Sequence, residues 1–245
     1  MEINIMVDIK ITTWTDHVLE SNKKELQDLE IQLNELNIQK GELEKLLADF
    51  QHRHTIELGD IISEILSLRR NKYKENEEKF AEASRDYENY SSQYKIEKEK
   101  KIFNLTKEQE QELKKKYRKA AVICHPDKVS EEFKADAERI FDELKQATDN
   151  NDLAKVVQIL ESLEAGNFFK ASSETISDRE KLETQIVKVK GLIQNLEAEI
   201  TSIKQSKTYQ TINSIDDWDD YFTKTKIKLS LELDSMRKEV EQAKI

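Results

Sequence analysis

The chain has 245 residues, a formal net charge of −10, and charged and apolar residues in equal shares of 37%. With only 4 Gly and 1 Pro, it lacks the turn residues of an all-β sandwich, barrel or propeller. Its glycines stand alone at Gly41, Gly59, Gly166 and Gly191, so no glycine-rich phosphate loop can form. The acidic balance argues against general affinity for nucleic acid, and a single Cys excludes an intrachain disulfide framework and suits a reducing compartment. No basic-then-apolar leader and no run of 18 apolar residues occurs, so a soluble cytoplasmic protein without a membrane segment is expected.

Residues 1–16 read as an N-terminal tail and 17–101 as long helices. The first helix is expected from about Thr15 to Phe50. Leu26, Leu29, Leu33, Leu36, Leu43, Leu47 and Phe50 follow the 3-4 spacing of a coiled-coil seam, and Lys40 occupies its one gap. A polar residue in such a seam costs stability and commonly fixes register. Residues 51–55 suggest a bend, and a second helix then runs to Lys101. Tyr73, Phe80, Tyr87 and Tyr94 are seven apart along it, and an aromatic stripe of that period needs a facing helix to cover it.

Residues 102–166 break the heptad pattern and form a compact unit. Residues 167–206 hold a connector and a heptad helix, opened by a Ser177–Glu180 capping box and carrying Leu182, Ile186, Val189, Ile193, Leu196, Ile200 and Ile203. Residues 207–245 begin with a loop or extended segment, Lys207 to Ile215. A last helix follows, capped by Asp216 or Asp217, with Trp218, Tyr221 and Phe222 as packing residues. The two heptad helices fit an antiparallel pair within the chain or self-association into a homodimer.

Inside the compact unit, Thr106 to Gln109 is a capping box that starts a helix. Leu113, Tyr117, Ala120, Ala121 and Cys124 form its apolar face, and Lys114, Lys115, Arg118 and Lys119 gather on the other side. Pro126 ends the helix and drives His125 into extended backbone. Ser130 caps the next helix, whose apolar face is Phe133, Ala137, Ile140, Phe141, Leu144 and Ala147. Asn150, Asn151 and Asp152 stop it and cap a short helix with Leu153, Val156, Val157, Leu160 and Leu163. Two amphipathic helices on a short loop pack antiparallel, which puts His125 and Asp127 at the tip. Cys124 reads as a small core residue rather than a nucleophile. His17, His52 and His54 lack a third metal ligand at useful spacing and read as exposed turn residues. With no catalytic pairing of side chains, neither an enzyme nor a cofactor is expected.

Lys115 to Ala120 followed by His125-Pro126-Asp127-Lys128 resembles helix II and the invariant tripeptide of a J domain, the signature of DnaJ-type co-chaperones. Ile140 to Ala147 resembles helix III of that domain. Asn151-Asp152-Leu153 is similar to a turn in some bacterial J-domain proteins. Those proteins flank the domain with coiled coils and carry segments like Glu57-Leu58-Gly59 through Leu68-Arg69-Arg70 and Trp218 to Phe222. The sequence departs from the pattern at Ala120, at Thr148 and in lacking a helix I motif before Leu105, where Lys100 to Phe103 would continue the preceding helix.

The resemblance implies an all-α fold with a J-domain hairpin inserted between long coiled-coil helices. It further implies docking on a DnaK-type seventy-kilodalton heat-shock chaperone and stimulation of its ATP hydrolysis. The partner-binding residues would be His125, Pro126, Asp127, Lys114, Lys115, Tyr117, Arg118, Lys119 and Lys128, with the basic face on an acidic patch and Asp127 on an arginine. The coiled coils would localise the domain or bind another protein. The competing reading is a structural scaffold whose J-like unit is inactive.

Overall fold

The computed structural model describes residues 2–166, 169, 176 and 178–242, with side chains from His17 onward. Every regular element among them is helical: α1 (Glu2–Lys72), α2 (Glu77–Glu99), α3 (Lys107–Cys124), a single 3-10 turn (Glu131–Phe133), α4 (Lys134–Asp149), α5 (Leu153–Ala165), α6 (Arg179–Gln205), α7 (Lys207–Asn213) and α8 (Trp218–Gln242). None of these helices is long and apolar enough to cross a membrane. They form two compact units, one of residues 1–44 and 102–204, the other of 45–101 and 205–245.

α1 departs from expectation at both ends. It is helical from Glu2, where a tail was expected, and it runs through residues 51–55 without a bend. Those five residues contain neither Gly nor Pro, and His54 packs its ring on Phe50 and Phe222. His52 meets Glu97 at 3.1 Å. Both histidines are therefore helical packing residues, not exposed turn residues. The break comes instead at Tyr73 to Asn76, where the Asn76 side chain accepts from the Lys79 N–H and starts α2.

In the first unit the seam of α1 meets that of α6. Leu26 and Leu33 bury against Leu182, Ile186, Val189, Ile193, Leu196 and Ile200. The polar contacts Asn22–Glu183, Glu25–Lys190 and Lys40–Glu199 advance in the same direction along both helices. The pair is therefore within the chain and parallel, not antiparallel. Lys40, the interruption in the seam, donates to Glu199 at 2.5 Å. That hydrogen bond holds the ammonium above its usual lysine range against the cost of burial. The cap of α6 is Asp178, whose carboxylate accepts from the Lys181 N–H; Ser177 lies outside the described residues.

The second unit packs α2 and α8 on residues 45–72 of α1. Contacts of Asp60 with Tyr94 and of Arg70 with Tyr87 run in opposite directions, so α2 is antiparallel; the aromatic stripe is half-buried rather than fully covered, and its first member, Tyr73, lies in the turn before α2. Phe222, fully buried, lies with Phe50, Leu58 and Ile212, so the aromatic group near Trp218 is core. The expected loop at Lys207 to Ile215 contains α7 instead: Ser206 caps it by accepting from the Tyr209 N–H, and Ile212 is buried. Asp217 caps α8 through the Asp220 N–H.

Candidate functional site: the basic helix and its loop

The site is built on α3. Thr106 Oγ1 accepts from the Gln109 N–H, and Gln109 Oε1 accepts from the Thr106 N–H, which closes the reciprocal box that starts the helix. Leu113, Tyr117, Ala120, Ala121 and Cys124 are all buried, together with Leu144 and Ala147 of α4 and Val156, Ile159, Leu160 and Leu163 of α5. Burial pushes the Cys124 thiol up to about 12, so it is protonated and inert at neutral pH. Ile38 of α1 packs on the same cluster.

The position that carries Ala120 is completely buried. Thr148, the other departure, is also buried, and its hydroxyl donates to the Leu144 carbonyl at 2.8 Å. Before α3 the chain does not continue α2. It runs irregularly after Lys100, and the Phe103 N–H donates to the Asn150 carbonyl. Asn151 takes a φ of 59° between α4 and α5, in the left-handed region that Asn tolerates, and Asp152 caps α5 through the Lys155 N–H.

Lys114, Lys115, Arg118 and Lys119 lie exposed on the side of α3 away from this core and line a shallow depression with Gln111 and Val122. Residues 111–128 carry six cations against two carboxylates. Tyr117 belongs to the other side. It is 6% exposed and its hydroxyl abuts Gly41, so it supports the face from beneath and is not open to a partner.

The loop after α3 is tightly held. His125 caps the helix in extended backbone (φ −66°, ψ 124°), as a residue before proline should. Its ring stands edge-on to Phe141 at 4.6 Å between centroids and is buried. The Asp127 N–H donates to His125 Nδ1 at 3.3 Å. That nitrogen is therefore the acceptor, and the ring proton sits on Nε2. Burial is the main cause holding the His125 pKa below the usual histidine value; Asp127 opposes it and Lys40 adds to it. Lys128 turns back to donate to the Val122 carbonyl at 3.2 Å, satisfying an end carbonyl of α3 rather than extending outward. The Asp127 carboxylate is one-third exposed, 3.8 Å from His125 Nδ1. Ser130, expected as a cap, makes no cap hydrogen bond through its side chain; the 3-10 turn follows it and α4 starts at Lys134.

A basic helix, a Pro-terminated loop presenting an aspartate and an apolar helix returning beneath them now stand together. Residues 101–150 match the family model described as DnaJ domain. The chain carries a J domain. No curated protein and no solved structure matches the chain. In this J domain the match ends at the turn after α4, whereas the core continues into α5 and takes in Ile38 of α1. The share of α5 follows the short helix expected from Leu153, Val156, Leu160 and Leu163, whereas Ile38 is invisible to spacing arguments because it is far from the J domain in sequence. J domains are in general parts of co-chaperones that act with seventy-kilodalton heat-shock proteins rather than enzymes.

Proposed function

We propose that this chain is a co-chaperone that docks on a DnaK-type chaperone in the cytoplasm and stimulates its ATP hydrolysis. One observation carries the reading: Lys114, Lys115, Arg118 and Lys119 share the open side of α3, and Asp127 stands one-third exposed in the loop after that helix. A one-sided cationic helix on an acidic chain steers an acidic partner surface to a single orientation and accelerates encounter. Asp127 then makes the contact with a chaperone arginine. Pro126 and the buried His125 shape the loop that presents it. The helices outside the J domain localise it or bind a further protein.

The test is single-turnover ATP hydrolysis by a DnaK-type chaperone with and without this protein, across a salt series. Stimulation that weakens as salt rises supports the reading. Absence of both stimulation and complex formation would leave the scaffold reading in its place.

A further inference from the structure

The cationic side of α3 is bordered along one edge by α1, within the same compact unit. Glu42 Oε1 accepts from Arg118 Nε at 2.7 Å and from Arg118 Nη2 at 2.6 Å, and Lys114 Nζ lies 3.6 Å away. Two residues on, Glu44 Oε2 accepts from Lys145 of α4 at 2.8 Å. At the loop end, Asn37 Nδ2 lies 3.5 Å from His125 Nδ1. A single stretch of α1, Asn37 to Glu44, therefore touches both helices of the J-domain hairpin and its tripeptide. It is not a loose strap. Ile38 is packed on the J-domain core, and Gly41 sits where any Cβ would press on the Tyr117 hydroxyl at 2.7 Å.

We propose that Glu42 is a built-in competitor that vies with the acidic surface of the chaperone for Arg118. This rests on the docking reading given above. A carboxylate of the partner that approaches Arg118 meets a guanidinium whose Nε and Nη2 are already taken by Glu42. The carboxylate is delivered from a fixed backbone, so no diffusion is needed to restore it. Docking at Arg118 requires that exchange, whereas Lys115 forms no ion pair with α1 among the described residues. The contact therefore sets a ceiling on how fast and how tightly this J domain engages, and the ceiling depends on salt. An exposed pair of this kind shifts an equilibrium by about two- to fivefold.

The experiment measures the association rate and affinity of the full chain for a DnaK-type chaperone, at low and high salt, for the parent, Glu42→Gln, Glu42→Ala and Glu35→Gln. Glu35 is exposed on the same helix and makes the same change in net charge without meeting α3. Both Glu42 variants should bind about two- to fivefold better at low salt, with the gap closing at high salt, while Glu35→Gln stays with the parent. In an Arg118→Ala background the Glu42 substitutions should have little further effect. Equal behaviour of Glu42→Gln and the parent, or an equal gain from Glu35→Gln, would overturn the competitor role while leaving the co-chaperone reading intact. If neither the parent nor a Glu42 variant bound the chaperone, the docking reading itself would fall, and the competitor role with it. Melting curves identify any variant that has lost its fold, and the remaining Glu42 variant then decides.

Discussion

The ring of Tyr94 rests on the backbone of Gly59, where an added Cβ would collide with it. Gly59 lies in the middle of α1, a place where Gly costs roughly 1 kcal/mol of helix stability relative to Ala. Close approach of α2 is the reason it stands there. Gly59→Ala should therefore destabilise the parent by about 1–3 kcal/mol through overpacking. In a Tyr94→Ala background the same change should stabilise by up to about 1 kcal/mol. Gly191→Ala is the control, because nothing lies within 4 Å of its added Cβ; it should raise the melting temperature. Denaturant titration of the four Gly59/Tyr94 combinations reads the change of sign directly.

The parallel seam of the first unit predicts that Leu33→Ala and Ile193→Ala each cost about 2–5 kcal/mol, because both side chains are at least nine-tenths buried. The double variant should fall short of the sum if the two share one cavity. Near-neutral melting of both single variants would mean that the seam is not packed in solution.

Asp127→Asn should leave stability within about 0.5 kcal/mol, because the carboxylate is partly exposed and makes no close ion pair. Its effect on stimulated ATP hydrolysis should be large. Loss of a charge-assisted contact that leaves a buried arginine unpaired costs about 2–5 kcal/mol, tens- to thousands-fold at limiting concentration. Full stimulation by Asp127→Asn would sink the mechanism.

His125 predicts a pH response. Burial lowers its pKa in the fold, so the neutral ring is the native form and the unfolded chain takes up the proton first. Stability should hold above about pH 6.5, fall as the pH drops below that value, and level off once the pH is below the folded-state pKa. His54 is lowered by burial as well and contributes in the same direction. Melting at about pH 7.5 and about pH 5.5 should show a drop that His125→Gln and His54→Gln each reduce. An undiminished drop in both variants would place its origin elsewhere.

The J-domain hairpin was legible because its signals are local. A reciprocal cap, one apolar stripe, one proline and a one-sided run of cations lie within about two dozen residues, and each acts on its immediate neighbours. The seams from Leu26 to Leu43 and from Leu182 to Ile200 are legible for the same reason, whereas Leu47 and Phe50, expected in the first seam, pack with Leu58 and Phe222 instead. What their spacing could not encode was direction: a heptad stripe looks alike to a parallel and an antiparallel partner, and the ion pairs of Glu25 with Lys190 and Lys40 with Glu199 decide it. The bend expected at residues 51–55 fails because a polar patch without Gly or Pro breaks nothing when an aromatic neighbour such as Phe222 packs on it. The spacing makes Tyr117 an apolar-face residue while the resemblance makes it a partner contact; Gly41, 76 positions earlier, marks its place against α1. The same distance hid Glu42, whose only signal was a negative charge among 50 acidic residues.

The parallel pairing of α1 with α6 has a consequence for synthesis. Asn22 and Glu183 are 161 positions apart, and the leucines of α1 leave the ribosome long before the residues that cover them exist. At about 5–20 residues per second, that delay is roughly 8–30 s. During it the nascent chain displays an amphipathic helix with an open apolar edge, and until Ala165 has been made the J domain is still waiting for its last helix as well. Closing so distant a pair is also slow for a helical protein, whose contacts are usually local. A nascent chain stalled shortly before Leu182 would accordingly expose this edge to chaperones and proteases, whereas one released after Ile203 would not.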